Sequence, residues 1–158
     1  MKLQLDKLYS IDFSNKLQFG DLPTPLLIKL FSDGRFCSEP LSHTFAQDFN
    51  DLTYVNETGY DFVHPEFPYI EQKQITSNGF KFCPSNMIGQ GRKCDRNVVE
   101  QHITDLNLYY LIPSIILFPL VHIRLIEGAR LLDMFKQTTC SISNPITVCK
   151  TLEIPYAA

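Results

Sequence analysis

The sequence predicts an α/β fold. Short β-prone runs at 52–63, 69–75, 108–112 and 120–126 are interleaved with segments whose apolar residues recur at helical spacing, at 38–50, 97–104 and 128–136. At 158 residues and with 44 % hydrophobic residues, the chain has the size and composition of one ordinary domain that buries a core without disulfides or a structural metal. Residues 1–158 are therefore read as a single domain.

Residues 1–20 alternate weakly, with Leu3, Leu5 and Leu8 followed by Tyr9, Ile11 and Phe13, and are expected to serve as an arm or an oligomerisation segment. Pro23-Thr24-Pro25 leads into Leu26-Leu27-Ile28-Lys29-Leu30-Phe31, one or two helical turns that stop at Asp33-Gly34. Ser38-Glu39-Pro40 reads as a helix start, with Ser38 capping, proline in the first turn, and Leu41, Phe45 and Phe49 forming one stripe. Residues 52–63 read as strand, turn and strand, the turn supplied by Asn56 through Gly59. After the His64-Pro65-Glu66-Phe67-Pro68 connection comes a strand over 69–75.

The polar stretch 79–96, which carries Lys81, Arg92, Lys93 and Arg96, is long enough for a loop to need a reason. A short helix over 97–104, apolar strands at 108–112 and 120–126, and a helix at Gly128–Lys136 with Leu131, Leu132 and Phe135 inward complete the pattern. The tail 137–158 holds scattered Ser, Thr and Pro. There is no internal repeat, linker or low-complexity tract.

Bulk composition narrows the function classes. A formal charge of −3 counts against a general polyanion binder, although catalytic carboxylates add negative charge and a local basic loop still reaches phosphate. Five cysteines in an odd count, without a CxxC pair or a signal peptide, are expected to be reduced thiols in the cytoplasm. Cys83 and Cys94 have no second close pair to complete a zinc site. The apolar stretch 106–126 is interrupted by Asn107, Pro113, Ser114, Pro119, His122 and Arg124, so two buried strands explain it better than a membrane span.

Chemistry gathers around Asp61 and the run Glu71-Gln72-Lys73. On a strand, Glu71 and Lys73 project from one face, because side chains alternate with a period of two. The turn before Asp61 brings that acid alongside, and two hard carboxylates suit Mg²⁺. Lys73 would then hold the attacking water or the phosphate, or act as base. Solvated charges on a sheet and a structural ion pair are the plain alternatives. Glu39 is the candidate third metal ligand, with a favourable first-turn contact to the helix dipole as its ordinary explanation. His43 lies one turn on, and His64 beside a proline reads as a loop residue.

The loop that follows suits DNA. Asn86 and Gln90 match the adenine edge, while Arg92, Lys93 and Arg96 suit phosphate or guanine, and glycines allow close approach. An ordinary solvated loop is the alternative. No Walker spacing is present, and Ser114 and the histidines show no readable triad order.

At these residues the chain resembles the PD-(D/E)XK nuclease superfamily, the fold of many type II restriction enzymes and some homing endonucleases. The resemblance lies in Asp61, the ten-residue interval to Glu71-Gln72-Lys73, the upstream helical acid Glu39, and the later strand, strand, helix order over 108–136. Tyr60 stands where the family pattern has proline. The resemblance implies a restriction endonuclease-like core, a central mixed β-sheet flanked by helices, with Asp61, Glu71 and Lys73 catalytic. It further implies Mg²⁺-dependent cleavage of double-stranded DNA by a homodimer or higher homo-oligomer, with no membrane partner. A site-specific restriction role, a homing role and a repair or junction-cleaving role stay open within the family. A non-catalytic α/β interaction module is the reading outside it.

Overall fold

Tyr9, Ile11 and Phe13 are buried while Leu8, Ser10 and Asp12 point away, the alternation of a half-buried strand. In the computed structural model, which describes residues 1–16, 20–32, 38–77, 79–81, 95–136 and 141–142, the first five in chain order form β1 (Leu8–Asp12), with Phe13 directly after it. This strand pairs antiparallel with β8 (Leu120–Glu127), so much of the N-terminal segment belongs to the chain's own sheet. The remaining strands are β2 (Thr53–Glu57), β3 (Tyr60–Val63), β4 (Ile70–Gln72), β5 (Ile75–Thr76), β6 (Gly79–Lys81), β7 (Tyr109–Ser114) and β9 (Ser141–Ile142). Helices α1 (Thr24–Phe31), α2 (Ser38–Asp48), α3 (Arg96–Leu106) and α4 (Gly128–Lys136) complete the described elements.

The sheet runs β2-β3-β4-β7-β5-β6-β9, with β8 on the other side of β7 and β1 beyond it. It is mixed, since β7 runs parallel to β4 and β5 and antiparallel to β8. The chain thus has an α/β fold with a central mixed sheet flanked by helices.

Side-chain alternation along β7 divides the core in two. Leu111 joins Leu41 and Phe45 of α2, Phe13, Phe62 and Ile70 on one face. Tyr110 and Ile112 join Val99 and Ile103 of α3 and Leu131 of α4 on the other. Leu41 and Phe45 of α2 and Phe49 directly after it are the expected inward stripe, and Phe45 meets Phe13 edge-on. Ile28 and Phe31 of α1 pack against the same cluster, Phe31 stacking on Phe118. Among the described residues, no helix is long and apolar enough to cross a membrane.

β4 and β5 are two pieces of one strand. Ile70 pairs with Tyr109 and Ile75 with Ser114, so every partner on β7 lies 39 positions further on and the register is unbroken. Pro113 explains the interruption. Tyr109 donates its N–H to Tyr69 and Ile115 donates to Ile75, so the intervening odd residue 113 should donate to the carbonyl of Lys73. Proline has no N–H, and the rung is missing there.

Candidate active site

The interruption coincides with a change of partner on the strand's other flank. Phe62 of β3 lies opposite Ile70, whereas Phe80 of β6 lies opposite Ile75. Between those points, among the described residues, no strand pairs with 71–74 on that side. The sheet splits, and the split holds Asp61, Glu71 and Lys73.

The Asp61 carboxylate fills the vacated edge: its Oδ2 accepts the N–H of Gln72 at 2.7 Å, where a neighbouring strand's carbonyl would otherwise stand. Extending the antiparallel register from Phe62 and Ile70 by one residue sets Asp61 against Glu71. Lys73 Nζ contacts Glu71 Oε1 at 2.5 Å, with both side chains largely covered at 18 % and 17 % exposure. Glu71 and Lys73 thus share a face, as strand spacing predicts, and Lys73 keeps its place through an N–H bond to Leu111.

Electrostatics mark Asp61 as the strained member. Burial first, and then the charge of Glu71, push its carboxyl up to about 6. The Gln72 amide and Lys73 oppose that shift, and Glu39 adds a smaller push in the same direction. Tyr110, opposite Glu71 on β7, has its hydroxyl pushed up by burial and then by Glu71, so it stays a neutral phenol.

Glu39 sits in the first turn of α2. It accepts the Tyr54 hydroxyl at 2.6 Å and lies 3.7 Å from His43 Nε2, with its side chain 63 % exposed. The Tyr54 hydroxyl is pushed up to about 12 by burial, by this bond, and by the charges of Glu39 and Asp61. Glu39 therefore acts on Asp61 through its field. Among the described residues, no group of three or more His, Cys, Asp or Glu could hold a metal ion.

Asp61 and Glu71 still suit Mg²⁺ in one respect. Two hard carboxylates held together in partial burial favour a cation that keeps most of its waters or takes phosphate oxygens as further ligands.

The other histidine and serine candidates stand apart. His64 is buried, its Nε2 3.2 Å from Asp51 Oδ2, and its Nδ1 accepts the Glu66 N–H. Ser114 is buried in β7 opposite His122, whose Nδ1 bonds Ser10. Arg96 opens α3 just after the Asp95 cap, while Asn86, Gln90, Arg92 and Lys93 lie outside the described residues.

Gln72, which has no assigned role in the Glu71-Gln72-Lys73 run, is a central contact residue. Its buried amide accepts from Ser42 Oγ at 3.1 Å and donates to the Ser38 carbonyl at 3.2 Å. The signal available beforehand was a polar residue on the apolar side of a strand, flanked at a two-residue interval by Ile70.

Compared with protein-family models, with curated proteins and with solved structures, the chain matches none.

Proposed function

We propose that this chain is a Mg²⁺-dependent endonuclease with a restriction endonuclease-like core that hydrolyses phosphodiester bonds in double-stranded DNA at specific sites. One observation carries the reading: a raised carboxyl, Asp61, meets the Glu71–Lys73 pair at a split in the sheet. In this reading Asp61 and Glu71 hold the cation. Mg²⁺ would orient the scissile phosphate and offset the negative charge developing on its oxygens.

The Gln72 N–H fixes the direction of the Asp61 carboxylate through Oδ2, and Oδ1 would serve the cation. Lys73, once Glu71 turns to the cation, is freed to bind a phosphate oxygen or the attacking water. Water adds to phosphorus as the P–O bond to the leaving strand end breaks; one water proton passes to a base and the leaving oxygen gains a proton. Asn86, Gln90, Arg92, Lys93 and Arg96 supply the basic and amide side chains proposed to read the DNA.

The test is cleavage of mixed-sequence duplex DNA with Mg²⁺ or Mn²⁺ by wild type and Lys73→Ala. Metal-dependent cutting by wild type, reduced at least about a hundredfold in the variant, is the expected result. Duplex binding without any nick under either metal would overturn the assignment. The Glu71–Lys73 contact also favours a second reading, in which the pair is a structural ion bridge of an interaction module. Under that reading Lys73→Ala lowers stability and no wild-type cleavage accompanies it.

A further inference from the structure

Gln72 occupies a position where the sheet needs only an apolar side chain. Ile70 and Leu111 around it are fully buried, and Gln72 itself is 7 % exposed. A primary amide in that place is costly unless both its ends are bonded. Both ends are used on one partner, the first turn and a half of α2. The Ser38 carbonyl can only accept, so the amide nitrogen must face it, and the amide oxygen then faces the Ser42 hydroxyl. The same hydroxyl lies 3.0 Å from the Ser38 carbonyl, closing a compact ring of three groups. From its backbone, Gln72 donates to Asp61 Oδ2. One residue therefore touches α2 and Asp61 at once.

We propose that Gln72 is a positioning residue: its side chain clamps the start of α2 and so holds Glu39, bonded to Tyr54 of β2, in one register relative to Asp61. Sliding α2 along the sheet would leave the buried amide unpaired, which restricts the helix to one register. Tyr54 completes the fixation by donating its hydroxyl to Glu39 from β2. Glu39 then shapes the cation site by its field, in the manner of outer groups that orient and tune direct ligands. The inference rests on the proposed metal-dependent function, and its test includes a readout other than cleavage.

Mn²⁺ binding to the full chain without DNA, followed by electron paramagnetic resonance, provides that readout. Gln72→Met preserves volume and the backbone N–H to Asp61 but removes both side-chain bonds. Gln72→Met and Glu39→Gln should each weaken Mn²⁺ binding by about two- to fivefold, and the double variant should be no weaker than either alone. Ser42→Ala, which keeps the bond to Ser38, should weaken it by less in the same direction and covers the case in which Gln72→Met does not fold. Unchanged Mn²⁺ affinity in Gln72→Met and Ser42→Ala, or factors that multiply in the double variant, would overturn the positioning role while leaving the nuclease assignment standing. A wild-type chain that neither binds Mn²⁺ nor cleaves DNA would overturn both.

Discussion

Ionising Asp61 costs the folded chain free energy, because its carboxyl stands at about 6 against an ordinary 3.8. The folded state holds that proton more tightly than the unfolded state. Its contribution to stability is therefore complete below about pH 3.8 and is lost as pH rises through 6. Asp61→Asn should lose cleavage yet fold more tightly, its advantage in urea unfolding growing from near zero at pH 4 to about 1–3 kcal/mol at pH 8. An advantage that does not change with pH would count against the strained carboxylate. Glu71→Gln should also abolish cleavage, and it should lower the Asp61 value measured by carboxyl NMR, since Glu71 is the largest charge raising it. Strand periodicity made Glu71 and Lys73 legible as one face. Of Gln72 only the misplaced polarity is legible, because its role depends on where a helix 30 positions earlier in the chain comes to rest.

Between elements, the hairpin carrying Asp61 is held by a close approach. Gly59 has φ +98°, and His102 of α3 reaches its carbonyl at 3.1 Å, so an added Cβ would fall 2.4 Å from the imidazole ring. Gly59→Ala should cost about 1–3 kcal/mol by thermal unfolding and lower cleavage in step with the displaced hairpin. Pro113→Ala tests the sheet's interruption from the opposite direction. It restores the missing donor toward Lys73, and hydrogen exchange should find a protected amide at residue 113. The turn and helix starts were readable because Asn56 through Gly59 and Ser38-Glu39-Pro40 have local causes. The alternation of residues 1–20 announces a strand without naming a partner, which suits an arm, an oligomerisation segment or the pairing with β8 alike. β6 was absorbed into the polar loop since three residues beginning with glycine carry little pattern.

At the scale of the whole molecule, the aromatic layer beneath α2 packs the core and holds none of the proposed site residues. Phe45 is fully buried among Phe13, Leu41 and Phe49. Phe45→Ala should destabilise the chain by about 3–5 kcal/mol in denaturant while leaving the cleavage sequence of the remaining folded protein unchanged. Sequencing the ends cut from a genomic library would separate the proposed biological roles: a short palindrome for restriction, one long site for homing, and structure-dependent ends for repair. The α/β class was legible because periodicity is a local property, whereas the exchange of partners along 70–76 is a property of the assembled sheet. That exchange also gives the molecule a mechanical seam. The β2–β3 hairpin lies on one side of it and the β5–β6–β9 group on the other, with no ladder directly joining these wings among the described residues. Asp61 rides on one wing while Lys73 lies in the seam itself, anchored to β7. In the proposed nuclease, hinging of the wings around a duplex would change the Asp61–Lys73 separation and so couple DNA binding to the alignment of carboxylate and lysine.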